Sequence, residues 1–393
     1  MRIVDVCAFY SPHGGGVRTY VERKLNQSDP AGDEVIVIAP GSAAGTIPQG
    51  NGRIILAESP VFPLDRRYRY FRDEVALHAL LDELAPDVIE VSSPWSSASM
   101  VARWRGRALR SLVMHADPLA AYAYRWFGAL ASRGLIDRAF DWFWRHLRAL
   151  DRQFDVIVSA SRSLSSRLIA GGLTKVETIA MGVDPGLFSP GLRDEALRAQ
   201  LLERCGLPAS ATLLLGVGRH APEKRWPMVI DAVSAAANDH SIGLVLLGDG
   251  RDRASVVRAA GNNPHVHLAA PVSERSHVAA IMASADALVH GCEAETFCIA
   301  AAEAKASGVP LIVPHEGGAG DQFAVGAGQT YTPRSPIALA EAIRRFVRSG
   351  AAPQRAAALH ASAEVISMED HFRRLFSIYR EICDPQRALS FAA

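Results

Sequence analysis

The chain has 393 residues, enough for two or three domains, with 49% apolar and 21% charged residues, a balance that excludes wholesale disorder. Lys and Arg total 42 against 41 Asp and Glu, for a net charge of +1; a dedicated nucleic-acid binder would be strongly basic, so no nucleic acid is expected as partner. The five cysteines (Cys7, Cys205, Cys292, Cys298, Cys383) form no C-x-x-C pair, so neither a disulfide framework nor a zinc site is expected, and a reducing compartment is.

The opening MRIVDVCAFYSPHGGG reads as a first strand rather than a signal peptide. No window approaches 18 uninterrupted apolar residues, so no transmembrane helix is expected and the expected location is cytoplasmic. Short apolar, β-rich runs over 3–9, 34–40, 53–56, 87–93, 112–116, 155–161 and 176–182 predict buried strands. Between them, 70–84 and 162–170 carry the 3.6-residue spacing of helices. Strand and helix alternating in this way predict parallel βαβ units. The stretch 181–192, with three Gly and two Pro, breaks the pattern and predicts a linker.

The alternation then restarts. Strands are predicted over 212–219, 242–250, 265–270, 285–291 and 309–314, and helices over 224–237, 251–260, 275–284, 299–307 and 336–349. The stretch 368–382 predicts one more amphipathic helix. The fold class is therefore α/β, two doubly wound Rossmann-like domains, with ligands at the carboxyl ends of the strands.

Within the first domain, residues 101–152 hold ten Arg and four Asp, interleaved with Tyr122, Tyr124, Trp126, Phe127, Phe140, Trp142, Phe143 and Trp144. Such a stretch either lies on an anionic membrane or grips an anionic acceptor, or it is a helix pair with aromatics inward and Arg outward.

Three loop-to-helix junctions carry chemistry. His13-Gly14-Gly15-Gly16 follows the first strand; glycines admit a ligand close to the backbone, and the next helix start points N–H groups at an anion. Gly218-Arg219-His220-Ala221-Pro222-Glu223-Lys224 puts two cations after a strand. A cation at a helix start is disfavoured unless an anion lies between, which suggests a diphosphate clamp. The third, Glu295-Thr296-Phe297-Cys298-Ile299-Ala300-Ala301-Ala302-Glu303, places two carboxylates around a helix start expected near Thr296. Glu303 then falls about two turns on, roughly 10 Å along the axis. Phosphate at the helix tip and hydroxyls on the carboxylates would suit one ligand.

The segments GGGVRTY (14–20), HAD (115–117), VSASRSL (158–164), MGVDPGLFSP (181–190), GVGRHAPEK (216–224), LGDG (247–250), 285–313 and GGAGD (317–321), in this order and spacing, resemble the retaining glycosyltransferases of family 4. The resemblance spans nearly the whole chain. It implies the GT-B fold, with the two Rossmann-like domains facing across a cleft: an acceptor domain over 1–181, joined by a returning C-terminal helix within 369–393, and a nucleotide-sugar donor domain over 182–368. It implies transfer of a hexose from a donor such as GDP-mannose or UDP-glucose to a hydroxyl of a lipid, lipid-linked glycan or small sugar, by a front-face mechanism without metal or other cofactor. Peripheral contact with the inner membrane face follows from the lipid acceptor.

By the same resemblance, Glu303 binds the donor ribose. Glu295, Thr296 and the N–H groups of Phe297, Cys298 and Ile299 hold donor sugar and phosphate. Arg219 and Lys224 neutralise the leaving diphosphate, Gly15 and Gly16 close over the phosphates, and His115 stands beside the transferred sugar. Asp117 either joins His115 or caps the next helix. Three positions depart from the family pattern: Cys298 for the usual Gly after Phe297, Asp321 for a common Glu, and His290-Gly291-Cys292 for a Pro-Ser region. A negative φ is expected at Cys298. Two competing readings are a nucleotide-sugar-binding subunit without catalysis and a same-fold transferase acting on a soluble sugar or phosphate.

Overall fold

The computed structural model describes residues 1–10, 16–29, 32–63, 68–117, 119, 132–184 and 186–384. The chain divides into two compact units: Met1–Ala180 with Glu369–Ala393, and Met181–Met368.

The first unit is built on eight strands: β1 (Arg2–Val6), β2 (Glu34–Gly41), β3 (Gly45–Gln49), β4 (Gly52–Glu58), β5 (Val88–Val91), β6 (Leu109–Met114), β7 (Val156–Ser159) and β8 (Val176–Thr178). Their order is β3-β4-β2-β1-β5-β6-β7-β8. All pairs are parallel except β3 with β4. The central strands are largely apolar because both faces are covered: Val4, Val6, Ile36, Ile38, Ile89 and Val91 are fully buried, and only Asp5 on β1 and Glu90 on β5 interrupt β1 and β5. Helices α1 (Gly16–Asn26), α2 (Glu74–Leu84), α3 (Ser96–Arg103), α4 (Arg133–Ala139), α5 (Asp141–Gln153) and α6 (Arg162–Ala170) belong to this unit. Helix α2 starts four residues later than its apolar spacing suggests, because the Asp73 side chain accepts from the Ala76 N–H and caps it there.

In the second unit, β9 (Thr212–Val217), β10 (Ile242–Leu247), β11 (Val266–Ala269), β12 (Ala287–Val289), β13 (Leu311–Pro314) and β14 (Gly328–Tyr331) run in the order β11-β10-β9-β12-β13-β14, all parallel. Helices α7 (Glu195–Arg204), α8 (Trp226–Ala237), α9 (Arg253–Ala260), α10 (Arg275–Ser284), α11 (Ile299–Ala306), α12 (Gly317–Asp321), α13 (Pro336–Arg348) and α14 (Ala351–Ser362) complete it. The chain moves outward from β9 through β10 to β11, then returns to the other side of β9 as β12. That reversal is a topological switch point, where the loops after β9 and β12 diverge and leave a crevice.

The last helix, α15 (Met368–Cys383), packs in the first unit from Glu369 onward, with Phe372, Leu375, Phe376 and Tyr379 buried. Among the described residues, no helix is long and apolar enough to cross a membrane. Helix α5 buries Phe143, Trp144, Leu147 and Leu150, and exposes Arg145 and Arg152. The end of the Arg-and-aromatic stretch, 141–152, is thus an amphipathic helix with Phe143 and Trp144 inward and Trp142 exposed. Tyr122, Tyr124, Trp126 and Phe127 lie outside the described residues.

Candidate functional site

The crevice between β9 and β12 gathers the charged residues of two junctions. After β9, Gly218 adopts φ +147° and the chain enters a 3₁₀ turn, Pro222–Lys224. After β12, the loop from His290 to Cys298 leads into α11. The two loops meet where Lys224 Nζ donates to Glu295 Oε1. The anion that Lys224 finds in this structure is therefore a protein carboxylate 71 residues away in sequence. Burial alone would raise the Glu295 pKa, but Lys224 and His290 hold it well below the usual carboxylate range. Lys224 is moved the other way: burial disfavours its charge, and Glu295 outweighs that and keeps it protonated.

Beneath this pair lies His290, 1% exposed, its Nε2 3.3 Å from the same Glu295 oxygen. The Tyr331 hydroxyl donates to the His290 carbonyl at 2.7 Å and anchors the strand end. Arg225, in the left-handed region at φ +53°, grips Glu293 through two hydrogen bonds of 2.9 and 2.6 Å. Arg334 reaches the same carboxylate at 3.4 Å. This second clamp fixes the loop that presents Glu295. Arg219 is exposed and makes no ion pair among the described residues, which leaves its guanidinium available to an anion.

Two expectations about the third junction are corrected. Helix α11 begins at Ile299 rather than near Thr296, and Cys298 has φ +66° where a negative φ was expected. The cause is crowding. Phe297 is buried, and the glycines of α12 press on this loop: a Cβ on Gly317 would lie 2.2 Å from the Glu293 carbonyl oxygen, and one on Gly318 2.5 Å from the Phe297 nitrogen. The turn into α11 is then made within one residue, in the conformation that usually takes glycine. No side chain caps the first N–H groups of α11, so they remain an anion site at the positive end of the helix.

Glu303, 5% exposed, lies on α11 and is held by Arg275 at 2.7 Å. Arg275 also lies over the Phe188 ring, 5.3 Å from its centroid. Sequence reasoning missed Arg275, because nothing in the spacing marks a partner 28 residues before Glu303. A carboxylate has more acceptor sites than one guanidinium contact uses, so hydroxyl recognition remains open to Glu303. Thr296 lies in the same loop, partly exposed.

In the first unit, Gly16 is the first residue of α1, and Gly15 lies outside the described residues. His115 follows β6 directly. Its Nε2 is 3.3 Å from Ser92 Oγ, which donates to Asp5 Oδ1 at 2.9 Å. Desolvation pushes the imidazole down to about pKa 4, so it is neutral at physiological pH. Asp117 accepts from the Leu119 N–H at 2.9 Å and pairs with Arg167 at 3.0 Å, the contacts of a cap and clamp. Behind His115 is a network that the sequence did not announce. Lys24, fully buried, binds Asp5 at 2.7 Å and also Glu90, and Glu90 accepts from the Tyr379 hydroxyl of α15 at 2.6 Å. A separate cavity of about 840 Å³ in this unit, bordered by Thr46, Leu56, Arg69 and Asp73, shares no residue with the crevice.

The family model described as Glycosyl transferases group 1 matches residues 200–361, and that described as Glycosyltransferase Family 4 matches residues 14–187. A GDP-mannose-dependent alpha-mannosyltransferase of Mycolicibacterium smegmatis is 32% identical over 335 residues, covering 82% of each chain. A GDP-mannose-dependent alpha-(1-6)-phosphatidylinositol dimannoside mannosyltransferase of Mycobacterium tuberculosis is 29% identical over 351 residues, covering 88% of each. Among solved structures, a sucrose-phosphate synthase from Thermosynechococcus elongatus superposes with TM-score 0.76 at 19% identity, covering 97% of this chain and 99% of the other. The fold is thus of the GT-B class. By its sequence match over most of its length, the chain belongs to the group 1, family 4 glycosyltransferases and is a transferase enzyme.

Proposed function

We propose that this enzyme moves a mannosyl group from GDP-mannose, with retention at the anomeric carbon and without a metal, onto a hydroxyl of a lipid or lipid-linked acceptor. The observation that carries the donor half is the crevice itself: Lys224, Glu295, exposed Arg219 and the uncapped start of α11 converge where β9 and β12 diverge. The printed activities of the two mycobacterial relatives support the choice of base and sugar.

In this reading the donor diphosphate docks on the N–H groups of Phe297, Cys298 and Ile299 at the entrance to α11. Arg219 and Lys224 carry the charge that grows on it as the glycosidic bond breaks. Lys224 then shares its protons between Glu295 and phosphate, and Glu295 turns a carboxylate oxygen to the sugar hydroxyls. Glu303 accepts from the ribose hydroxyls. The acceptor oxygen bonds to the anomeric carbon on the face the GDP leaves, and its proton passes to the leaving phosphate oxygen. The neutral His115 imidazole serves a sugar hydroxyl, a role for which a pKa near 4 suits it across physiological pH. Arg145 and Arg152 on the exposed face of α5 favour an anionic lipid surface, with the enzyme peripheral on the cytoplasmic side.

The test is turnover with GDP-mannose and UDP-glucose against anionic phospholipid and glycolipid acceptors, with the anomeric configuration of the product read by NMR. An α-mannoside made from GDP-mannose, unaffected by a chelator, is expected. An inverted product, or strict dependence on added divalent metal, would overturn the mechanism.

A further inference from the structure

Beneath the donor crevice, the side chains of His290, Cys292 and Glu295 place one ligand atom each within 4.8 Å of one another. Glu295 has its part in the proposed transfer, but neither that chemistry nor the packing accounts for His290 and Cys292 beside it. His290 and Cys292 are 1% and 2% exposed. The His290 Nε2 atom is buried 3.3 Å from Glu295 Oε1, in ion-pair contact but outside good hydrogen-bond geometry. A buried polar atom with only a poorly aligned partner is costly, and an ion held beside the two atoms would relieve it. The Cys298 side chain also adjoins the imidazole. The sequence spacing, His-x-Cys-x-x-Glu, matches none of the usual zinc patterns; the turn after β12 is what folds the three together.

We propose that His290 Nε2, Cys292 Sγ and Glu295 Oε1 form a site for a thiophilic divalent cation of the zinc class, and that occupancy inhibits the enzyme. Imidazole, thiolate and carboxylate are the three donor types that zinc takes, at about 2.0–2.3 Å each. Ligands at those distances around a tetrahedral ion stand roughly 3–4 Å from one another, and the 3.3 Å between His290 and Glu295 fits. Three protein donors leave a fourth position for water. Access is from the crevice side, where Glu295 and Lys224 keep 20% and 18% of their side chains exposed. Binding displaces the Cys292 thiol proton and the His290 Nε2 proton to solvent. It also breaks the Lys224–Glu295 pair, since a dication and an ammonium compete for one carboxylate. Glu295 is then lost to the sugar donor. The inhibitory consequence rests on the proposed donor role of Glu295; the binding itself does not.

Binding is therefore tested without substrate. The reduced, chelator-treated full chain is titrated with Co²⁺ under anaerobic conditions, following the thiolate-to-cobalt charge-transfer band and the visible bands of tetrahedral cobalt. One equivalent is expected to bind, and Zn²⁺ to bleach the spectrum. Cys292→Ser abolishes the charge-transfer band, and Cys383→Ser, at the exposed cysteine, keeps it. Lys224→Met removes the competing cation and tightens Co²⁺ at least about tenfold. No thiolate band in the wild type, or an unchanged band in Cys292→Ser, overturns the site, as does unchanged affinity in Lys224→Met. In transfer assays, Zn²⁺ inhibits the wild type and not Cys292→Ser. Inhibition that persists in Cys292→Ser would contradict the regulatory consequence even where the cobalt spectrum stands.

Discussion

At the scale of single residues, the site combines a strained turn with a compensated charge pair. Cys298 holds φ +66°, a conformation that grows more costly as the side chain branches at Cβ. Cys298→Gly is therefore expected within about 1 kcal/mol of the wild type, the glycine trading conformational relief against lost side-chain packing. Cys298→Val is expected to destabilise by about 1–3 kcal/mol. Urea unfolding of both variants checks this, and equal stability of the two would contradict the strained turn. Glu295 and Glu303 lie on either side of that turn, and in the proposed reaction they divide the work. Glu295→Gln is expected to lower kcat by roughly 10²–10³ with a smaller change in donor KM, because it acts at the charge-separating centre. Glu303→Ala is expected to raise the donor Kd at least tenfold with a smaller effect on kcat, as a uniform-binding group does. Calorimetric titration of the donor against each variant, beside steady-state rates, separates the two. Equal donor affinity in the wild type and Glu303→Ala would remove the ribose assignment.

At the scale of elements, much of the architecture was legible because parallel strands covered on both faces are written as unbroken apolar runs. Such runs marked β2, β9 and β10 closely. Two strands left no such mark. The edge strand β3, Gly45-Thr46-Ile47-Pro48-Gln49, is mostly exposed and contains a proline, and β14, Gly328-Gln329-Thr330-Tyr331, is short and polar. Both take their place from the neighbour they pair with. Within the site, Lys224, Glu295 and Glu303 were legible because they sit in contiguous loop-to-helix motifs. The Arg225–Glu293 clamp and the Lys24–Asp5–Glu90 cluster were not, since each joins residues that only the sheet order brings together. The latter cluster ties α1, β1, β5 and α15. Lys24→Met would leave Asp5 and Glu90 buried without a cation and is expected to cost about 3–5 kcal/mol. Tyr379→Phe removes one donor from Glu90 and is expected to cost about 1–3 kcal/mol. Chemical denaturation checks both, and a Lys24→Met variant as stable as the wild type would show that the carboxylates escape by protonation.

At the scale of the whole molecule, the first unit is made from two ends of the chain, leaving at Ala180 and returning at Glu369. Truncation after Met368 deprives it of Phe372, Leu375, Phe376 and Tyr379, all buried. The truncated chain is expected to lose cooperative unfolding of that unit, read by calorimetry. The same unit carries a pH dependence. Desolvation lowers both His115 and His371 to about pKa 4, whereas both protonate near about 6.5 when unfolded. The unfolded chain binds more protons in that window, so stability is complete above about pH 6.5 and declines as pH falls toward 4. A denaturation midpoint unchanged between pH 7 and pH 5 would contradict the buried neutral histidines.

The measurement that bears most directly on the donor crevice is a thermal-shift series with GDP-mannose, GDP, UDP-glucose, UDP and ADP. A ligand that binds only the folded chain at 100 times its Kd adds about 2.7 kcal/mol of stability, an easily resolved rise in Tm. A rise with GDP-mannose and GDP, absent in the ADP control and cut by about half or more in Glu303→Ala, is the predicted result. No rise with any nucleotide, or one confined to the UDP ligands, would contradict the account.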